Sequence, residues 1–282
     1  MNENKEIAIV YMVAGISSRF GGKIKQFAHI GPNNETLIEL SMIQALKAGF
    51  TKIIFIVGNL TSLPFKEKFN NAFQNFPILY ALQSYNEKER DKPWGTADAL
   101  CSALNLIDCP FVVCNGDDIY GESSFKLLFN HLINSNDDEE ASLAYLLSSV
   151  LPKEGKTNRA IFHIDKNNNK QILEIKEYLN ISNENLSSLN LSASNICSMN
   201  IFALHPSTLF KIKSRVENFK NLHKGDRKIE CLLPEELSQL IKNKDINMRV
   251  YPAVDRWIGI TNPEDEFIVK NNLKDIHKMN RN

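Results

Sequence analysis

The chain has 282 residues, of which 43% are hydrophobic, so it is long enough to bury a sizeable core. Lysine plus arginine and aspartate plus glutamate both number 33, which gives a formal net charge of zero. This balance argues against general electrostatic capture of nucleic acid or of an anionic membrane. It leaves room for a local basic pocket that holds one phosphate group.

The cysteines and the N-terminus indicate the compartment. The five cysteines include no CxxC pair, and their odd number argues against a disulfide framework or a thiolate metal site. Several lie in apolar runs such as 111–114, which predicts buried, reduced thiols. The N-terminus is polar, and no apolar run approaches the ~20 residues of a membrane span. We therefore expect a cytoplasmic protein.

The first half of the chain alternates short apolar strands with helices. The strands are rich in β-branched residues, which is typical of strands buried on both faces of a parallel sheet. The helices carry apolar residues at helical spacing. Strands are predicted at 7–13, 53–57, 77–82 and 111–114, and helices at 36–48, 96–106 and 123–133. This alternation predicts a parallel α/β sheet.

The second half has looser, partly alternating strand patterns and predicts a smaller β-rich portion. Strands are predicted at 141–147, 159–164, 171–177, 198–204 and 248–251, and helices at 206–219, 231–242 and from Pro263 onward. The segment 180–195 is rich in Asn and Ser and is predicted to be a loop.

A glycine-rich loop follows the first strand, at the sheet edge where open α/β sheets bind ligands. Glycines permit positive φ and close approach, so backbone N–H groups can cradle phosphate oxygens. Arg19 and Lys25 add positive charge near a triphosphate. The loop is neither a Walker A loop nor GxGxxG, and its glycines alone fit an ordinary turn equally well. The candidate phosphate-binding residues are Ala14, Gly15, Ser17, Ser18, Gly21 and Gly22.

A second candidate segment, Lys92 to Leu100, opens a predicted helix. Gly95 permits the close approach of a flat ring, and the Thr96 hydroxyl suits a helix cap. Taken alone, the segment fits an ordinary capped helix start at least as well as a base-binding site.

A third candidate segment, Asn115-Gly116-Asp117-Asp118, ends the strand at 111–114. An acidic residue at this strand end faces the glycine loop across the sheet edge, which suits Mg²⁺ ligation. An Asx-type turn is the structural alternative.

Together these three segments resemble the sugar-phosphate nucleotidyltransferase (NDP-sugar pyrophosphorylase) family. Glu177 and the ending Trp257 to Asp265 extend the resemblance over nearly the whole chain, in the family's order. The segments 92–99 and 115–121 look most like a bacterial subgroup with KPWGTAxA and NxDDxYG motifs. One such motif is weak evidence, whereas four in order are specific.

The resemblance implies a Rossmann-like, mixed and mainly parallel sheet flanked by helices, the GT-A-like nucleotidyltransferase fold, with a smaller β-rich sugar-binding portion. It implies one domain over 1–282. Within it, 1–135 binds the nucleotide, 136–255 binds the sugar phosphate and 256–282 forms a closing helix. Members often dimerise, so a homodimer is open to this chain.

The resemblance also implies a role for each matching residue in forming an NDP-sugar and pyrophosphate from an NTP and a sugar-1-phosphate. The catalytic residues would be Lys25, Arg19 and Asp117, where Lys25 stabilises charge on the α-phosphate and Arg19 holds the β- and γ-phosphates. Asp117 would hold Mg²⁺. Gln83, Gly95 and Thr96 would bind the nucleotide base, and Asp118, Glu177 and Asn200 would bind the sugar.

The chain departs from the family at two positions. Common members carry a second metal-binding Asp where this chain has Gly259, so we assign the second metal ligand to the nearest acid, Asp255. The frequent Glu-Lys pair of the sugar segment is reversed here as Lys176-Glu177. The lysine that grips the acceptor phosphate is therefore not identified by the sequence.

The sequence leaves other functions open. One is a GT-A-type glycosyltransferase, because Asp117-Asp118 loosely resembles its metal motif. Others are a cytidylyltransferase for a phosphorylated alcohol such as phosphocholine, and a non-catalytic nucleotide-binding protein. The base and the sugar are not fixed, although a glutamine reader suits uracil, thymine or guanine.

Overall fold

The computed structural model describes residues 5–15, 21–22, 24–152, 154–165, 167–168, 170–260 and 269–270. The strands are β1 (Ala8–Met12), β2 (Lys52–Val57), β3 (Ala72–Phe73), β4 (Phe76–Leu82), β5 (Phe111–Asn115), β6 (Asp118–Ile119), β7 (Glu139–Leu146), β8 (Thr157–Ile164), β9 (Ile172–Ile181), β10 (Ile196–Cys197), β11 (Phe202–Leu204), β12 (Asn247–Pro252) and β13 (Ile258–Gly259). The helices are α1 (Leu37–Ala48), α2 (Asn59–Phe69), α3 (Thr96–Cys101), α4 (Glu122–Asn134), α5 (Leu147–Val150), α6 (Pro206–Leu222) and α7 (Leu233–Lys242). Short 3₁₀ helices span Lys25–Phe27, Leu104–Leu106 and Ser187–Leu189.

Four parallel strands form the first half of the sheet, in the order β4, β2, β1, β5. Alternate residues of β1 enter different apolar clusters: Ile9 and Tyr11 pack on one side, Ala8 and Val10 on the other. Both faces of the strand are covered, which explains why its sequence is continuously apolar rather than alternating. The predicted parallel α/β arrangement is confirmed.

The second half of the chain extends the same sheet. β11 inserts between β5 and β7 and is antiparallel to both, and β10, β8 and β9 continue the order beyond β7. β12 pairs with β7 in parallel. The result is a mixed, mostly parallel central sheet flanked by helices, as the resemblance implied.

Two helical segments differ from the sequence prediction. α2 was not predicted, because Pro64 lies inside it and its apolar Leu60 and Leu63 are exposed. The predicted helix at 96–106 divides into α3 and the 3₁₀ turn Leu104–Leu106. The helix predicted from Pro263 onward lies outside the described residues, except for 269–270, which are helical.

All five cysteines are buried and free of disulfides, as the apolar runs predicted. Burial raises the pKa of the Cys101 thiol to about 12 and that of Cys109 to about 11, so both are protonated, inert core residues at neutral pH. Among the described residues, no helix combines the length and the apolar character that crossing a bilayer requires.

Candidate functional site

The ends of β1 and β5 bring two of the candidate segments together. The strands are parallel neighbours, with Met12 opposite Asn115, so the loops that follow them meet at one sheet edge. Gly116 N donates to Met12 O at 3.1 Å, and a Cβ on Gly116 would lie 2.2 Å from Val13 Cγ1. This close contact requires a residue without a side chain, and it positions Asp117 beside the end of the glycine loop.

Lys25 and Asp117 form an ion pair at this edge. Lys25 lies in the 3₁₀ helix after the loop, and its ammonium contacts Asp117 and donates to Ile260 O at 3.1 Å. The two side chains are only 19% and 23% exposed, so their interaction is less screened than a surface ion pair. The structure thus brings together two residues predicted to be catalytic.

The described part of the glycine loop has the conformation that the sequence predicts. Gly21 and Gly22 have φ of +58° and +80°, and a Cβ on Gly15, Gly21 or Gly22 would meet no atom within 4 Å. The backbone here is therefore open to a ligand. Ser17, Ser18 and Arg19 lie outside the described residues.

Asp118 connects the sheet edge to the C-terminal segment. β6 pairs antiparallel with β13, which places Asp118 opposite Gly259 and Ile119 opposite Ile258. The Asp118 carboxyl is buried and accepts a hydrogen bond from Asn115 Nδ2 at 2.9 Å. Burial and the neighbouring Asp117 carboxylate raise its pKa to about 7.

Gly259 occupies a position where a side chain does not fit. A Cβ there would lie 2.3 Å from Trp257 Cζ2 and 3.0 Å from Asp118 Oδ1. The Trp257 ring and the Asp118 carboxylate therefore fill the space next to position 259. Among the described residues at this edge, Asp118 rather than residue 259 provides a second carboxylate beside Asp117.

Asp255 is engaged in a structural contact. Its Oδ2 accepts a hydrogen bond from Ser124 N at 2.8 Å, and its own N–H is hydrogen-bonded to Ser124 Oγ at 3.1 Å. Ser124 lies in the first turn of α4, so Asp255 satisfies a free N–H and complements the helix dipole. Sequence reasoning, which assigned Asp255 to the metal, did not foresee this capping role.

A cavity of about 240 Å³ opens beside Lys25 and extends to the β8–β9 hairpin. It collects five residues that the sequence predicted for the site: Lys25, Thr96, Asp118, Glu177 and Asn200. Asp117 is joined to it through the ion pair with Lys25. Arg159 and Trp257 also line the cavity, and Arg159 had no sequence signal beyond opening a predicted strand.

The β8–β9 pairing separates Glu177 from Lys176. Glu177 lies opposite Ala160 and lines the cavity, whereas Lys176 is exposed, with its ammonium 5.1 Å from the centre of the Tyr178 ring. Neighbouring strand residues point to opposite faces, so only one of the two enters the site. Burial, followed by the charge of Glu235, raises the pKa of Glu177 to about 7, while Arg159 opposes the shift.

We expect Glu177→Gln to raise the melting temperature at pH 8 with little effect at pH 5. The folded-state pKa is about 7 against an ordinary value of 4.5, so the folded protein keeps a proton that the unfolded chain releases. The group's contribution to stability is complete below pH 4.5 and is lost as pH rises through 7. Thermal unfolding at both pH values measures the difference.

Glu174, on the same strand, provides the matched control. Its ion pair with Lys242 lowers its pKa, so its contribution is present above its ordinary pKa and is lost as pH falls. Glu174→Gln is therefore expected to lower the melting temperature at pH 8. Equal melting temperatures for Glu177→Gln and the unaltered protein at pH 8 would contradict the assignment of the buried carboxylate.

Gln83, Gly95 and Thr96 form a connected group beside the cavity. Gln83 is buried, and its Nε2 donates to Gly95 O at 3.1 Å and lies 3.5 Å from Asp98 Oδ2. The Thr96 hydroxyl accepts from Leu233 N at 2.9 Å, so it caps α7 rather than its own helix. Of the three, Thr96 lines the cavity, whereas Gln83 and Gly95 are not among its lining residues.

Gly95 is fixed by its contact with the segment before α7. Its φ is +102°, and a Cβ would lie 2.5 Å from Cys231 O and 2.8 Å from Cys231 N.

We expect Gly95→Ala to lower the free energy of unfolding by about 1–3 kcal/mol more than Gly155→Ala. Gly155 also has positive φ, at +86°, but a Cβ there meets nothing within 4 Å. Urea denaturation compares the two variants, and equal losses would exclude the clash with Cys231.

A second acidic group lies at the other end of the sheet. Glu6, Asp108 and Cys109 precede β1 and β5, and the Lys52 ammonium contacts both carboxylates, at 2.8 and 2.7 Å. The Lys52 ammonium thus offsets the negative charge of this group.

At the cavity edge, Asp117 and Asp118 supply the carboxylate oxygens that Mg²⁺ prefers, and the Lys25 ammonium shows that a cation is accommodated against Asp117.

Three solved structures share this fold over nearly the whole chain. A UDP-glucose pyrophosphorylase complexed with UDP-glucose has a TM-score of 0.68 at 14% identity, covering 96% of this chain and 99% of its own. A protein of Bacillus anthracis assigned as a glucose-1-phosphate thymidylyltransferase gives 0.67 at 14% identity, covering 95% and 96%. An inositol-1-phosphate CTP transferase of T. maritima gives 0.62 at 13% identity, covering 98% of both chains.

At 13–14% identity, the likeness to these structures shows the fold alone. The family follows from a separate comparison. No curated protein matches the sequence significantly. The nucleotidyl transferase family, in contrast, matches residues 22–257, which include Lys25, Asp117, Glu177 and Trp257. The chain belongs to the nucleotidyl transferase family.

Proposed function

We propose that this enzyme forms an NDP-sugar and pyrophosphate from an NTP and a sugar-1-phosphate, with Mg²⁺ as cofactor. The observation that carries the proposal is the cavity that joins two chemically different walls. One wall holds Lys25, which is paired with Asp117 at the end of the glycine loop. The other holds Glu177 and Asn200, whose oxygen and amide groups suit sugar hydroxyls.

The reaction requires positioning and electrostatic stabilisation rather than a protein nucleophile. An oxygen of the sugar-1-phosphate attacks the α-phosphorus of the NTP. The bond from the α-phosphorus to the oxygen that bridges it to the β-phosphorus breaks, and pyrophosphate leaves. In this scheme the Lys25 ammonium exchanges its contact with Asp117 for the α-phosphate, where negative charge develops.

Asp117 is the residue proposed to hold Mg²⁺, with Asp118 as its neighbour at the same edge. When bound, the cation would neutralise phosphate oxygens and so reduce their repulsion toward an anionic acceptor. Asp255 is not included in this proposal, because its carboxylate is hydrogen-bonded to Ser124 in α4.

The hydrogen bonding of Gln83 supports a choice among bases. Its amide nitrogen faces two acceptors, Gly95 O and the Asp98 carboxylate, so its donor capacity is used inside the protein. The side-chain carbonyl then remains for the nucleotide and accepts a hydrogen bond. Uracil, thymine and guanine offer a ring N–H to such an acceptor, whereas cytosine and adenine offer an exocyclic amino group on the Watson–Crick edge and no ring N–H there. We therefore propose a uridylyl, thymidylyl or guanylyl donor.

A panel of NTPs with phosphorylated acceptors tests the function. Pyrophosphate release is measured for UTP, dTTP, GTP, CTP and ATP, each with glucose 1-phosphate, other sugar-1-phosphates, inositol 1-phosphate and phosphocholine. The proposal expects release with a sugar-1-phosphate and one of the first three nucleotides. Release with CTP and phosphocholine alone would favour a cytidylyltransferase. Transfer of sugar from a UDP-sugar would favour a glycosyltransferase. If no pair released pyrophosphate, the result would favour a non-catalytic nucleotide-binding protein.

A further inference from the structure

The cavity wall opposite Lys25 carries a second cation. Among the described residues that line the cavity, Lys25 and Arg159 are the basic ones. Arg159 lies on β8 opposite Tyr178, one position before Ala160, which pairs with Glu177. Arg159 and the proposed sugar-binding residue Glu177 both line the cavity at this hairpin, and Lys25 is on the wall of the proposed nucleotide site.

The guanidinium of Arg159 is held in place by backbone and hydroxyl oxygens. Nη1 donates to Thr157 Oγ1 at 2.7 Å and to Asn158 O at 2.9 Å, and Nη2 donates to Val150 O at 2.8 Å. Nε is buried and has no hydrogen-bond partner among the described residues. A buried donor left without an acceptor is costly, and the residue that carries it lines the cavity, which points to an acceptor that arrives with the ligand.

The positive charge of Arg159 is also incompletely compensated. None of the ion pairs found in the described part of the chain includes Arg159, although the charges of Asp118 and Glu177 act on it from nearby. Burial lowers the pKa of the guanidinium, which reflects the solvation that it has lost. Arginine remains charged in proteins, and its fork of donors matches phosphate oxygens.

Lys176 cannot serve in its place. It is exposed, lies near the Tyr178 ring and is not among the residues that line the cavity, whereas Glu177 and Arg159 are. The strand that carries the phosphate-gripping lysine in the family thus presents a carboxylate to the cavity in this chain. The neighbouring strand β8 presents a cation instead.

We propose that Arg159 binds the phosphate of the acceptor, a phosphate monoester, and so replaces the lysine that the reversed Lys176-Glu177 pair removes from the site. The inference rests on the proposed function for the identity of the acceptor. It predicts that loss of Arg159 weakens the binding of the acceptor phosphate and has little effect on the binding of the NTP.

Steady-state kinetics with the pair that the unaltered enzyme uses tests the inference. Arg159→Gln is expected to raise the acceptor KM by about 10- to 100-fold, the loss of one or two charge-assisted hydrogen bonds, while the NTP KM changes less than about threefold. Arg159→Lys restores part of the affinity through its charge. Lys176→Gln, which removes an exposed cation that does not line the cavity, leaves both values unchanged. An unchanged acceptor KM in Arg159→Gln overturns the inference and leaves the proposed function standing.

A binding measurement separates the inference from catalysis. Isothermal titration of the full chain with glucose 1-phosphate, inositol 1-phosphate, phosphocholine and inorganic phosphate compares the unaltered protein with Arg159→Gln and Arg159→Lys. Weaker binding in Arg159→Gln supports the inference even if no pair releases pyrophosphate. Equal binding, or no binding of any of the four by the unaltered protein, overturns it. Because Arg159 also contacts Val150 O, thermal unfolding of each variant confirms that it is folded.

Discussion

Asp117→Asn is expected to lower Mg²⁺-dependent pyrophosphate release by about 10³-fold or more. Asparagine keeps the size of the side chain but removes the charge that faces the Lys25 ammonium and that would hold the cation. A loss of several kcal/mol of charge stabilisation corresponds to a rate change of this size. Turnover is measured across Mg²⁺ concentrations, and Mn²⁺ binding is followed independently by paramagnetic resonance.

Two further aspartates make this experiment specific. Asp108→Asn alters an exposed carboxylate at the far end of the sheet and is expected to keep both turnover and Mn²⁺ affinity. Asp255→Asn distinguishes the two roles considered for Asp255. As a cap of α4 it lowers the free energy of unfolding by about 1 kcal/mol and leaves Mn²⁺ affinity unchanged. A large loss of Mn²⁺ affinity in Asp255→Asn, with near-normal turnover in Asp117→Asn, would contradict the assignment of the metal site to Asp117.

Lys25→Ala should reduce kcat by about 10²-fold or more, because its ammonium is proposed to stabilise charge that develops only in the transition state. The same change removes the partner of Asp117 and the donor to Ile260 O, so the unliganded sheet edge is also altered. Rapid-quench and steady-state kinetics of pyrophosphate release separate kcat from KM.

The control for Lys25 is Lys47→Ala, which removes a cation that is 64% exposed near the end of α1. We expect it to leave kcat and both KM values unchanged. A raised NTP KM with an unchanged kcat in Lys25→Ala would make Lys25 a ground-state binder. That outcome would assign the stabilisation of the α-phosphate to another group.

Most of the parallel half of the sheet was predictable because its strands are buried on both faces. β1, β2 and β5 appear in the sequence as short apolar runs, each followed by glycine or a polar turn. α2 escaped prediction because Phe65 and Phe69 are its only buried apolar residues, while Leu60 and Leu63 are exposed. Its position is set by packing against the sheet, which local periodicity does not contain.

The candidate site also contains residues that the sequence predicted and residues that it did not. Lys25 and Asp117 follow strands, so parallel pairing alone predicts that they lie at one edge of the sheet. Arg159 had no such signal, since a single arginine at the start of a strand is usually solvated. Only the folded structure shows that Arg159 and Glu177 line the cavity while Lys176 does not.

The family, the parallel sheet and the pair at its carboxyl edge are therefore predictable from the sequence, because these depend on local order and strand direction. The remaining features depend on contacts between distant parts of the chain. The pairing of β6 with β13 places Gly259 against Asp118, and a hydrogen bond from Ser124 N places the Asp255 carboxylate at the first turn of α4. Contacts between residues more than 100 positions apart set these roles, and neither spacing nor composition encodes which distant partner a carboxylate will meet.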